Sequence, residues 1–270
     1  MKKTRIIIIS LIIILCIASV TIAIIFQMTE NDYKKAANKE QSTADDIELI
    51  KNNFNNIFNN DITGQYENVQ KEEEGKDVVY VSAQKVEAIP NKYDLDVQIP
   101  QININNEDVK KWNTEIKSIF QNKAAKILGN TEQYTVYKVK YHVYINDNIL
   151  SLVIKSNLKE GTNAERTIIK TYNYNLETNK QATLKDIMES KNITNEDLEN
   201  KIKEEIKSKK DYENTLTQLG YKTYTRNEDD SMYKQENIND YILGENGMLY
   251  IIFPYGNKTY ISETDIVIIE

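Results

Sequence analysis

The sequence predicts an α+β fold in which an antiparallel sheet carries helices on one face and is preceded by a single amino-terminal transmembrane helix. Three observations lead there. Residues 6–26 form an uncharged apolar run. From Asp77 onward, apolar and polar residues alternate at the strand period of two. Two later stretches, 107–128 and 195–210, repeat their apolar residues at helical spacing.

The apolar run follows Lys2, Lys3 and Arg5 and, at 1.5 Å per residue, reaches roughly 31 Å, enough to cross a hydrocarbon core. Basic residues stand only before it, whereas Glu30 and Asp32 follow. The positive-inside rule therefore leaves residues 1–5 as a cytoplasmic stub, 6–26 as a signal anchor and everything after Phe26 outside the cell membrane. A cleaved signal peptide is the competing reading, but its apolar region would be overlong. Cys16, the sole cysteine, follows Leu15 where a lipoprotein signal wants a small residue, so it is read as a lipid-facing apolar side chain. With no cysteine beyond the span, the external part is expected to hold together by its hydrophobic core and not by disulfides.

Charge narrows the partners. Setting aside Lys2, Lys3 and Arg5 leaves 31 of the 34 basic residues against 41 acidic ones, a net charge of −10 outside the membrane. Nucleic acid is excluded by the lack of a basic footprint, and a cationic partner is favoured by long-range attraction.

Residues 27–76 read as a stalk. It opens with a polar segment to Thr43 and continues as an amphipathic helix carrying Ile47, Ile50, Phe54, Ile57 and Phe58, with Thr43 and Asp46 as a capping pair. The charged linker 61–76 follows. In the domain proper, residues 77–270, strands are predicted at 78–86, 93–99, 135–145, 149–156, 166–174, 241–243 and 248–253. YDLDVQIP shows the alternation at its cleanest, and Asn146-Asp147-Asn148 is the turn of a hairpin. Asn246-Gly247 is read as the turn joining the last two strands, and Pro254 as their end. Val109, Trp112, Ile116, Ile119, Phe120 and Ile127 stripe one side of the helix at 107–128, so Trp112 should be largely buried between helix and sheet. A short helical piece spans 184–188. The helix from 195 has Glu196 and Asp197 in its first turn and is expected to end near Lys207, Lys209 and Lys210, matching the macrodipole.

Chemistry-bearing residues are sparse. His142, the only histidine, shares a strand face with Lys138, Lys140 and Tyr144 and is expected to be solvated; it has no nucleophile or zinc partners. The carboxylates Glu228, Asp229, Asp230 and Glu236 lack the alternate-residue spacing of a calcium loop, and there is no glycine-rich phosphate loop. Neither metal nor cofactor is therefore expected. Tyrosine is abundant, with eighteen against five phenylalanines. Tyrosine suits strands with one wet face as well as interfaces and sugar stacking. The acidic, tyrosine-bearing loop is the candidate partner-binding patch: Tyr221, Tyr224, Glu228, Asp229, Asp230 and Tyr233, together with Tyr255, which is expected at a sheet end with its hydroxyl reaching solvent.

The segments YDLDVQIPQI (93–102), ILSLVIKSN (149–157), TYNYNLETNKQATLKDIM (171–188) and GENGMLYIIFPYGN (244–257), in this order, resemble the extracytoplasmic domain of RsiV-type anti-sigma factors, which also precedes the catalytic domain of PdaC-type peptidoglycan deacetylases. That family usually has glycine where Asn179 stands, and asparagine is the next most tolerant residue at a left-handed turn. The resemblance implies recognition of a cationic wall-lytic enzyme such as lysozyme. Only five residues precede the span, too few for a sigma-binding segment, so the expectation is a non-enzymatic receptor, decoy or wall-associated scaffold. The alternative is a protein accessory to, or an enzyme of, peptidoglycan or polysaccharide modification.

Overall fold

A computed structural model of the protein describes residues 71–129, 132–220, 222–244, 247–256 and 261–269. The predicted span at 6–26 and the predicted stalk helix lie outside the described residues, and among those described no helix is long and apolar enough to cross a membrane.

Strands β1 (Val79–Ile89) and β2 (Tyr93–Ile102) pair antiparallel. They are followed by helix α1 (Glu107–Ile116), a π-turn (Lys117–Gln121) and helix α2 (Asn122–Gly129). Strands β3 (Thr135–Asn146), β4 (Ile149–Glu160), β5 (Arg166–Asn175) and the two-residue β6 (Lys180–Gln181) complete a six-stranded sheet in sequence order. Helices α3 (Leu184–Lys191) and α4 (Asn195–Gln218) then lead to a separate antiparallel sheet of β7 (Asp240–Leu243), β8 (Leu249–Pro254) and β9 (Thr264–Ile269).

Local chemistry explains these elements. In β2, Tyr93, Leu95, Val97 and Ile99 are buried while Asp94, Asp96 and Gln98 between them stay half-open. The β3–β4 hairpin turns through Asp147 and Asn148, both at positive φ (48° and 61°), the pair a right-twisted two-residue hairpin needs. Asn179 takes the left-handed conformation expected of it (φ 56°). Asn106 caps α1 through its side chain, and Thr183 with Asp186 and Thr194 with Asp197 form capping boxes on α3 and α4.

Several expectations are corrected. The predicted single antiparallel sheet is two sheets, and β2 pairs with β3 in parallel, because the helix between them carries the chain back to the same end. The helices do not share one face. α1, the π-turn and α2 cover the six-stranded sheet through Val109, Ile116, Phe120 and Ile127 against Leu95, Val139, Leu152 and Ile154. α3 and α4 pack with the three-stranded sheet through Ile187, Leu198, Ile202 and Ile206 against Leu249, Ile251 and Phe253. β9 was not expected. α4 runs on to Gln218, so Lys207, Lys209 and Lys210 lie inside it and its last turn holds no basic residue. Trp112 is only half-buried, at the margin of the first core, 5.6 Å from the Tyr172 ring and 6.2 Å from Tyr174. His142 is 5 % exposed and not solvated, its ring against Tyr144 at 4.4 Å. Further along the same face of β3, Asn146 donates to the carbonyl of Gly244 at 2.6 Å, just beyond β7.

β7 is held on the sheet by polar groups. Ser151 Oγ donates to Asn173 Oδ1 (2.6 Å) and accepts from the backbone of Leu243 (3.0 Å). Asn173 Nδ2 donates to the Tyr241 carbonyl (2.8 Å), and the Tyr241 amide donates to Thr171 Oγ1 (3.1 Å). Every one of these buried polar groups thereby finds a partner, as burial requires.

Candidate functional site

The acidic loop after α4 is organised by a residue that the sequence reading passed over. Arg226 lies in a polar segment yet is 5 % exposed. Its Nε donates to Asp265 Oδ2 at 2.6 Å and its Nη2 to Asp265 Oδ1 at 3.0 Å, a bidentate pair with the first inward-facing side chain of β9. Nη2 also reaches Glu263 Oε1 at 2.6 Å, and Nη1 donates to the Tyr224 carbonyl at 3.2 Å, 3.8 Å from Glu213 Oε2 of α4. Burial opposes the guanidinium charge, but the hydrogen bonds and fields of Asp265 and Glu263 overcome it and hold Arg226 above its ordinary range.

Three tyrosines complete the cluster. Tyr255 donates its hydroxyl proton to Asp265 Oδ2 at 2.9 Å, lies under the Arg226 guanidinium at 5.3 Å and stacks on Tyr224 with ring centroids 3.9 Å apart. The Tyr233 hydroxyl is 3.1 Å from that of Tyr255. Because the Tyr255 proton goes to Asp265, Tyr233 is the donor of this pair. Burial first, then the Asp265 carboxylate, push Tyr255 far above the phenol range; burial likewise pushes Tyr233 up to about 12. Both remain protonated at neutral pH, so neither can serve there as a base. The arrangement is a clasp that ties the loop to α4 and β9.

The predicted patch therefore divides. Tyr224, Tyr233 and Tyr255 are brought together but turned inward, and Tyr255 is fully buried, which corrects the expectation that its hydroxyl reaches solvent. The carboxylates remain on the outer side in unequal settings. Asp229 is exposed. Glu228 lies 3.9 Å from Lys210 of α4, and Asp230 accepts from the Met232 amide at 3.0 Å to cap a 3-10 turn (Ser231–Tyr233). Tyr221 lies outside the described residues. Among the described residues, no group of three His, Cys, Asp or Glu side chains is placed to hold a metal ion.

The sequence held a signal for the clasp. The chain has three arginines, at 5, 166 and 226, among 34 basic residues, and arginine is the residue whose planar fork suits a carboxylate. Asp265, a charge on the apolar face of TDIVII, is the matching irregularity.

The sequence matches no protein-family model and no curated protein. Its structural neighbours are DUF3298 family proteins. One, from Pseudomonas aeruginosa PAO1, is similar over 71 % of this chain and 86 % of its own, with a TM-score of 0.39 and 11 % identity. Another, from Bacteroides fragilis NCTC 9343, is similar over 66 % of this chain and 80 % of its own, with a TM-score of 0.29 and 13 % identity. A likeness of this size identifies neither a ligand nor a reaction.

Proposed function

We propose that residues 77–270 are the external binding module of a membrane-anchored protein, and that this module recognises a cationic protein without catalysing a reaction. The observation that carries the reading is the Arg226 clasp. It fixes the backbone of a surface loop from beneath, so that Asp229 and Glu228 are offered from a pre-ordered frame, and ordering a loop in advance removes an entropic cost of binding. The net charge of −10 beyond the span supports the same class of partner. A wall-lytic enzyme such as lysozyme is the partner suggested by the resemblance to RsiV-type domains.

The test is association of lysozyme with the full chain in detergent micelles. Binding is expected to saturate, with an association rate that falls as salt rises, since screening removes the long-range attraction. Replacing Glu228 by Gln and Asp229 by Asn should slow association several-fold while leaving the thermal midpoint unchanged. Salt-independent association, or an unchanged rate in the double variant, overturns the assignment of the loop; hydrolysis of wall polymer by the purified protein overturns the non-enzymatic reading.

A further inference from the structure

The six-stranded sheet has two unlike edges. One ends in β6, which is two residues long. The other is β1, eleven residues from Val79 to Ile89, and among the described residues no strand pairs with its outer side. An open edge of that length offers a row of unpaired amides and carbonyls to any other strand, and proteins usually blunt it. Here only the first part is blunted. The register against β2 slips between Val81 and Ala83, a bulge at which the Ser82 hydroxyl donates to the Ile99 carbonyl at 3.1 Å. The chain entering the strand also lies along its start, with the Tyr80 hydroxyl on Glu73 and the Lys76 ammonium 4.1 Å over the Tyr80 ring. Residues 83–89, AQKVEAI, carry neither device.

Side chains in this stretch alternate between the two faces of the sheet. Lys85 and Glu87 stand on the face that carries Val97 and Leu95, their partners on β2, so the neighbouring strand supplies neither of them with a counter-charge. They meet each other along the strand at 3.2 Å, with side chains 44 % and 37 % exposed. Gln84, Val86 and Ala88 stand on the other face, and all three are exposed. Val86 is 67 % exposed, more than any other large apolar side chain among the described residues. A β-branched residue so placed gains almost nothing from burial within one chain.

The order of these residues is self-complementary. When two copies of an edge strand pair antiparallel about a twofold axis normal to the sheet, each keeps its faces and one residue lies opposite its own copy. With Val86 on the axis, Lys85 faces Glu87 of the second copy and Glu87 faces its Lys85, while Gln84 faces Ala88 and Ala83 faces Ile89. Opposite Cβ atoms about 5 Å apart let each ammonium reach the carboxylate across the seam. Moving the axis by one residue destroys the match. On Lys85 it sets ammonium against ammonium and on Glu87 carboxylate against carboxylate, and like charges directly opposite destabilise a strand pair. Moved to Gln84 it brings the bulge at Ser82 opposite Val86, and moved to Ala88 it brings Pro90 there. We propose that two copies of this chain associate through residues 83–89 of β1, antiparallel about Val86, joining their six-stranded sheets into one sheet of twelve strands. The same side-chain order that would repel a copy in any neighbouring register selects this one.

The test is sedimentation equilibrium of the full chain in density-matched detergent micelles. A strand pair of this length is a small contact, so a dimer with a midpoint of about 10 µM is expected. Val86→Lys sets two ammonium groups on the axis, and Lys85→Glu or Glu87→Lys turns both cross-strand ion pairs repulsive. Each should weaken the dimer at least about tenfold while leaving the thermal midpoint unchanged. A Lys85→Glu chain mixed with a Glu87→Lys chain restores opposite charges at every facing pair and should dimerise as the parent does. Association through any other surface, residues 6–26 included, would not reproduce that rescue. A parent chain that stays single up to about 100 µM, a dimer indifferent to the three substitutions, or a mixture that stays apart overturns the proposal. None of these results bears on the acidic-loop reading, which shares no residue with 83–89 and is measured by association with lysozyme.

Discussion

Beneath α1 and α2 the six-stranded sheet is closed by apolar side chains such as Leu95, Phe120, Leu152 and Ile154, each 0 % exposed, whereas the three-stranded sheet, apolar where α3 and α4 cover it, closes at its Asp265 end around an arginine, an aspartate and a line of phenols. The first core needs volume and alternation. The second needs orientation as well, since Arg226 must meet Asp265 in the plane of both groups and Tyr255 must aim at the same carboxylate. Burying apolar area stabilises in proportion to area, but a buried ion pair offsets its desolvation only while every partner is present. The second core is therefore the more brittle of the two.

Asp265→Ala should break it most severely. The variant leaves Arg226 buried without its main partner and is expected to lose about 3–5 kcal/mol in denaturant unfolding. Replacing both members, Arg226→Met with Asp265→Leu, should recover most of that loss, because an apolar pair of similar bulk carries no desolvation cost. A double variant as unstable as Asp265→Ala would mean that the clasp works through geometry alone.

Asp240, at the seam between the two sheets, sharpens the comparison through pH. Its folded value of about 6 lies above the unfolded one, so between about pH 4 and pH 6 the folded chain holds a proton that the unfolded chain has released. Stability contributed by this group is present below about pH 4, falls as pH rises through that window and is flat above it. Asp240→Asn should remove the slope and raise stability at pH 7.5 by roughly 2–3 kcal/mol. Parallel pH profiles of the variant and the parent chain would exclude this carboxyl as the source.

The smallest expected effect lies at the start of α4. Thr194→Ala removes the hydroxyl that accepts from the Asp197 amide at 3.1 Å and should cost about 1 kcal/mol by thermal unfolding. A comparable loss from Lys207→Ala would contradict this ranking, since that lysine lies on an exposed interior turn.

These differences also mark what could be read in advance. Strands β2, β3, β4 and β8 were legible because their buried residues follow one another at strict period two or as a short apolar run between turn residues. β9 was not, because Asp265 occupies an inward position that pattern reading treats as a break. The parallel pairing of β2 with β3 was implicit in the helix between them, but alternation along a strand carries no information about the direction of its neighbour. The tyrosines were the least legible residues. A phenol has an apolar body and a polar tip, so Tyr255 and Tyr233 fit a wet face and a buried network equally well until Asp265 and Arg226 are in place. In the candidate site the carboxylates of the loop were legible as an acidic segment, while the buried pair beneath them joins residues 39 positions apart and had no local signature.

The hydroxyl and amide contacts that seat β7 also act as a gauge on folding. β3, β4 and β5 are neighbours in sequence and can assemble through local turns, whereas Leu243 reaches Ser151 across 92 residues. The late-arriving strand meets Thr171 and Asn173 on β5 at Tyr241, and Ser151 on β4 at Leu243, two positions further along. A slip of one residue would turn the side chains of β7 to the opposite face and leave these buried groups without partners at once. Until β7 docks, water can serve the same hydroxyl and amide groups, so the half-assembled sheet waits with a partly wettable face, less adhesive to other unfinished chains than an all-apolar one.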